Sequence, residues 1–189
     1  MENNTIKAKR WLNTISGENI LSKQEHCPTR DIFQARLDKI RLNFESKPEI
    51  NLDILYSLIA IIGEIGNNAY DHNLGKWRDM MGIYFDVDFE NKTIVVADRG
   101  QGILSSIQKV KPETKNDLEA LKVAFTEVIS GRYPEKRGNG LKFVTKVSKD
   151  LGIQINLHSG NAVAKIENKK LSFENSDQTI NGVLAIIKY

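Results

Sequence analysis

Apolar positions recur along this chain with a period that changes from segment to segment, and the period marks out the elements. Phe33, Leu37, Ile40 and Phe44 follow Pro28 at helical spacing, which predicts a helix there. Pro48 breaks the pattern, and Asn51 is placed to cap a longer helix over residues 52–72. In that helix Ile54, Leu58, Ile61 and Ile65 form an apolar stripe, widened by Leu55 and Ile62. The period then falls to two. Ile83, Phe85 and Val87 alternate with Tyr84, Asp86 and Asp88, and Asn91-Lys92 turns the chain into a second strand over residues 93–97.

The flanks are weaker in pattern. A short helix carrying Trp11 is predicted over residues 8–15, and another begins within residues 103–110 before Pro112 interrupts it. Asn116-Asp117-Leu118-Glu119 has the form of a capping box and predicts a helix over residues 117–129. Residues 130–139, rich in Gly, Pro and charge, read as a loop, and a helix over residues 140–151 stops at Gly152. The remainder reads as strands at residues 153–157, 162–166, near 171 and at 183–188. Turns at Ser159-Gly160-Asn161 and Asn168-Lys169-Lys170 make these an antiparallel meander. The predicted fold class is α+β: a two-layer α/β sandwich whose mixed, mainly antiparallel sheet is covered on one face by helices. Residues 1–50 are expected to form an N-terminal helical extension and residues 51–189 the main domain.

Composition narrows the function classes. With 189 residues, 40% hydrophobic and 27% charged, the chain is long enough for one domain with a real core. A net charge of +3 permits an anionic ligand but does not argue for nucleic acid, which usually leaves a dense basic patch, so nucleic acid is not an expected partner. No apolar run approaches the roughly twenty residues needed to cross a bilayer, and the first residues do not read as a secretion signal. Cys27 is alone and forms no internal disulfide, which suits a cytoplasmic setting.

Three groups of residues carry chemistry. Glu64, Asn68 and Asp71 step by four and three along the predicted helix and share a face beside its apolar stripe, at the margin of the core. An amide oxygen is a hard ligand suited to magnesium, and a carboxylate one turn away can take a proton from a nucleophile. Taken alone, the three also fit a hydrated polar edge. Asp98-Arg99-Gly100-Gln101-Gly102 follows the apolar run Ile94-Val95-Val96-Ala97. An aspartate at a strand end can accept a hydrogen bond from an adenine amino group, and the glycines let backbone approach a ligand; Asp and Gly are also common in ordinary turns. Lys136-Arg137-Gly138-Asn139-Gly140 opens a helix, where N–H groups and positive charge suit phosphate, although the motif has the form of neither a Walker loop nor a dinucleotide fingerprint.

In this order, Glu-x-x-x-Asn on a helix, Asp-x-Gly-x-Gly after a strand, a long loop and Gly-x-Gly on a helix, the chain resembles the ATPase superfamily of gyrase, histidine kinases and MutL. The resemblance covers residues 50–189 and implies the Bergerat ATP-binding fold. Within it Glu64 matches the general base, Asn68 the magnesium ligand and Asp71 a position in the nucleotide's surroundings. Asp98 matches the adenine-binding acid, with Gly100, Gly102 and Ile103 in the adjoining loop. Residues 104–137 match a lid, and Lys136, Arg137, Gly138 and Gly140 lie where relatives meet the phosphates. His72, with Asn68-Ala69, is similar to the anti-sigma-factor kinase branch, and the layout is closest to its stand-alone members. Two departures stand out. Val183 follows Gly182 where many relatives have threonine, and neither His26 nor His158 sits in a phosphoacceptor pattern.

The resemblance implies ATP and Mg2+ as cofactors and a slow ATPase or serine/threonine protein kinase that switches a partner protein. A homodimer through the N-terminal helices is a further expectation. The alternative is a non-catalytic interaction module that keeps the scaffold. The residues leave open whether ATP is hydrolysed, transferred or only sensed.

Overall fold

The computed structural model describes residues 3–17, 20–46, 51–127 and 139–189. Helix α1 (Asn4–Asn13) starts earlier than its pattern suggests because the Asn3 side chain accepts from the Thr5 N–H at 2.9 Å and caps it. A two-residue strand β1 (His26–Cys27) precedes α2 (Arg30–Glu45), which is capped by Thr29. Helix α3 (Leu52–Asn73) is capped by Asn51, whose side-chain oxygen accepts from Asp53 and Ile54. Its buried stripe runs through Leu55, Leu58, Ile61, Ile62, Ile65 and Ala69, whereas Ile54 is exposed.

The hairpin β2 (Ile83–Asp88) and β3 (Thr93–Asp98) follows, with Lys92 at φ 48° in its turn. Helix α4 (Gly102–Ile107) opens directly after β3. Helix α5 (Asp117–Thr126) has the expected cap: Asn116 accepts from Glu119 N–H at 2.9 Å, and the Glu119 carboxylate accepts from Lys115 N–H. Helix α6 (Gly140–Leu151) ends at Gly152, φ 75°. The chain closes with a hairpin of two long strands, β4 (Gln154–Glu167) and β5 (Lys170–Lys188). Four short strands are therefore replaced by two. Ser159-Gly160-Asn161 is an irregularity inside β4, where the register slips, and not a turn.

All strand pairs are antiparallel, in the order β1-β2-β3-β5-β4. Alternation along β2, β3 and β5 sends side chains to both faces. Ile83, Phe85, Ile94, Val96, Ala185 and Ile187 join the main core under α2, α3, α5 and α6. Tyr84, Val95, Ala97, Ile180 and Leu184 point the other way and bury Ala8, Trp11 and Leu12 of α1. Helices thus cover one face as expected, and α1 adds a cover on the second. Full burial of a side chain such as Leu12 or Ile61 contributes about 1.5–3 kcal/mol, so α1 is a fixed part of the fold.

The described residues among the first fifty pack into the rest of the structure. β1 extends the sheet through His26–Tyr84 and Cys27–Ile83, and α2 puts Phe33 and Leu37 into the main core. Its close approach to α3 depends on Gly66, where a Cβ would lie 2.3 Å from the Phe33 ring. Of the segment expected as a lid, residues 104–127 are docked: Ile107 packs with Ala120 and Val123, and Leu121 and Phe125 enter the main core.

Candidate functional site

A cavity opens between α3, the β3–α4 turn, α5 and the start of α6, with Leu157 and Val183 of the sheet in its wall. Its volume is ≈ 100 Å³, smaller than the about 300–1,000 Å³ typical of small-molecule sites. Asn68 and Asp98, from motifs thirty residues apart in sequence, both line it. So do Gly102 and Ile103. Ile65, Ala69, Ile107, Ala124 and Leu141 make the remaining wall largely apolar.

Asp98 is the electrostatic centre. It ends β3 on the main-core face, is 4% exposed, and lies opposite Val183 in the β3–β5 register. Burial pushes its carboxyl up to about 7, against the lowering influence of the Gly100 N–H and the Asn73 amide. Both donors reach the same oxygen: Gly100 N–H at 2.9 Å and Asn73 Nδ2–H at 2.9 Å meet Oδ1. Among the described residues no hydrogen bond reaches Oδ2. A buried acid with one occupied and one spare oxygen at a cavity wall is an acceptor suited to a ligand N–H.

The turn after Asp98 is held from two directions. Asn73, the last residue of α3, is 3% exposed, and its Oδ1 accepts from Gln101 N–H at 3.1 Å. It presses on Gly100, where a Cβ would fall 2.0 Å from its side chain. Ser159, from the irregular part of β4, accepts from Ile103 N–H at 2.9 Å and donates to the Gly182 carbonyl at 3.1 Å. Gly102 adopts φ 76°, and Gly182 lies so close to the Asp98 carbonyl that a Cβ would meet it at 1.9 Å. The glycines therefore serve a tight turn beside the cavity.

Glu64 and Asn68 lie one turn apart on α3. Asn68 lines the cavity, and the Glu64 carboxylate rests on Gly140, where a Cβ would come within 1.7 Å of Oε1. Gly140 is the first residue of α6, and Asn139 before it makes no side-chain cap bond, so that side chain leaves the first-turn N–H groups free for an anion. Lys136, Arg137 and Gly138 lie outside the described residues. Asp71 does not line the cavity; its carboxylate pairs with Arg30 at the start of α2. His72 lines the mouth, and its carbonyl accepts from the Gln101 side chain.

The donor set suits magnesium. Asn68 offers an amide oxygen and Glu64 a carboxylate on one helix face, and no group of three or more His, Cys, Asp or Glu forms a metal cage among the described residues. Magnesium usually takes only one or two protein ligands and completes its shell with water and phosphate oxygens.

Sequence reasoning did not find Asn73 or Ser159. Asn73 had a signal: it continues the buried series Ile65, Ala69 in steps of four, a polar residue on an apolar stripe. Ser159 had none, because its role depends on a slip in strand register.

No protein-family model matches the chain, and no curated protein matches it in sequence. Among solved structures it is similar to the ATPase region of Saccharomyces cerevisiae topoisomerase II, at 19% identity and a TM-score of 0.44, over 68% of this chain and 36% of that one. The same region bound to ICRF-187 (dexrazoxane) gives 19% and 0.45, over 69% and 37%. The 43K ATPase domain of Thermus thermophilus gyrase B in complex with an aminocoumarin gives 16% and 0.40, over 68% and 32%. The chain spans about a third of the length of these solved chains. Likeness of this degree assigns no residue a role.

Proposed function

We propose that this protein is a magnesium-dependent ATP-binding domain that signals its nucleotide state to a partner protein, by slow hydrolysis or by phosphoryl transfer to serine or threonine. The observation that carries the proposal is the convergence of Asp98, Asn68 and the Gly102 turn on one cavity. Asp98 Oδ2 would accept from the exocyclic amine of the base while the apolar wall takes its faces. Asn68 would hold Mg2+, which when bound neutralises charge on the phosphates. Glu64, whose carboxylate lies beside the N-terminus of α6, would take a proton from an attacking water or hydroxyl. The first N–H groups of α6 would meet phosphate oxygens.

No helix among the described residues is long and apolar enough to cross a membrane. A homodimer through the N-terminal helices would use their outer faces, where Ile6 and Leu42 are exposed, since the inner faces are docked.

The test is a calorimetric titration of ATP with Mg2+ into wild type and Asp98→Ala. Binding by wild type and its loss in the variant support the reading. Equal binding by both defeats it, as does none by wild type. Phosphate on a partner protein that disappears with Glu64→Ala identifies the kinase form, and free phosphate lost with the same variant identifies the ATPase.

A further inference from the structure

We propose that Asn73 is a positioning residue for nucleotide binding: its amide fixes the Asp98 carboxylate with one oxygen held and the other turned to the cavity. This inference rests on the ATP-binding reading of the same cavity.

Asn73 sits where α3 ends, on the series Ile65, Ala69, Asn73 that otherwise buries apolar side chains. Placing an amide there costs desolvation unless both ends are bonded. Both are: Nδ2 donates to Asp98 Oδ1 at 2.9 Å, and Oδ1 accepts from Gln101 N–H at 3.1 Å. Its contact with Gly100 leaves no room for a side chain on that residue. One amide thus bridges the acid and the backbone three residues beyond it, and it closes a ring with the Gly100 N–H that also meets Oδ1. The ring fixes the carboxylate rotation, so Oδ2 is presented without loss of side-chain entropy on binding.

The same bond favours the ionised acid. Asp98 is buried and its carboxyl is pushed up to about 7, with the Asn73 amide among the influences that oppose the rise. Without that donor the acid holds its proton to higher pH, and a protonated Oδ2 is a poorer acceptor for a ligand amine. Asn73 therefore acts through Asp98, and its removal has a signature in pH that general destabilisation does not share.

The experiment titrates ATP with Mg2+ into wild type, Asn73→Ala, Asn73→Ser and a core control, Val144→Ala, from pH 6 to 9. The ionisation of Asp98 is followed in the ligand-free proteins by carboxyl carbon NMR. For Asn73→Ala we expect binding about tenfold weaker at pH 7, the equivalent of one charge-assisted hydrogen bond. The pH midpoint of binding and the Asp98 titration should both move upward, and Asn73→Ser should recover part of each. Val144→Ala should lose stability without either shift. Wild-type binding with superimposable Asn73→Ala curves overturns this inference alone. An Asp98 titration that does not move overturns it too. Wild type that binds no ATP at any pH overturns the reading of the cavity and this inference with it.

Discussion

Asp98 and Arg99 are neighbours in the chain, both ionisable and both buried, at 4% and 0% exposure, yet they point to opposite faces of the sheet and have opposite fates. Arg99 is saturated. Its Nε and Nη2 donate to the two oxygens of Asp79 at 2.7 Å each, and the remaining N–H groups meet the carbonyls of Trp11, Thr14 and Ile15. The guanidinium also stacks 5.6 Å from the Trp11 ring, and its hydrogen bonds hold the Asp79 carboxyl below the usual range. Asp98 has its hydrogen bonds on one oxygen only, and the residue lines a cavity. A buried charge with every valence filled holds structure together. One with a valence to spare is placed to meet a ligand.

The strongest way to break this contrast is Arg99→Ala. It strands Asp79 and uncovers the carbonyls after α1, and breaking a buried pair costs about 3–5 kcal/mol. Urea unfolding should show a loss of that order; a loss under about 1 kcal/mol would put Arg99 on a par with a surface ion pair. Asp98→Asn should behave in the reverse manner. We expect ATP binding to weaken by about 10- to 100-fold, one to two hydrogen-bond equivalents, with no loss of stability at pH 8.

The same variant exposes a dependence on pH. The unfolded chain releases the Asp98 proton near the ordinary 3.8, whereas the folded protein keeps it to about 7. The folded state therefore holds the extra proton between those values, and the contribution to stability is full below about 4 and is lost as pH rises to 7. Unfolding curves of wild type should carry this downward component, and their difference from Asp98→Asn should level off above pH 7. A difference independent of pH would show that Asp98 titrates normally.

Smaller effects sharpen the picture of the cavity. Gly140→Ala drives a methyl into the Glu64 carboxylate, the flexible end of a side chain, so the fold should survive with stability changed by less than about 1 kcal/mol. Phosphate release should nonetheless fall about tenfold, a displaced proton acceptor being worth at least one hydrogen bond. Val183→Thr adds a hydroxyl across from Asp98 and should tighten ATP binding by a few-fold, less than the tenfold of a full 1.4 kcal/mol. Weaker binding would mean that the apolar wall matters more than the hydroxyl.

The parts of this molecule legible in its sequence are those fixed by local spacing. The stripe of α3, its Asn51 cap, the β2–β3 alternation, the Asn116–Glu119 box and the Gly152 stop all follow from residues within a turn or two of one another. The meeting of Asn68 and Asp98 was foreshadowed by motif order. What escaped depends on contacts across the chain. The second-face docking of α1 needs Trp11 to meet Tyr84 and Arg99, and the unbroken β4 needs β5 opposite it to absorb a slipped register at Gly160. Asp71, on the polar face with Glu64 and Asn68, is drawn to Arg30, a partner forty-one positions away that helical spacing does not reveal.

The sheet order has a consequence for translation. β3 receives β2 at once through a short turn, but its other neighbour, β5, is made after the other described strands of the sheet. Until that strand docks, Asp98 has no Val183 opposite it and Ser159 no Gly182 carbonyl to bind. A ribosome can thus have released Glu64, Asn68 and Asp98 before Leu157 and Val183 complete the wall of the cavity, which closes only once the β4–β5 hairpin has formed.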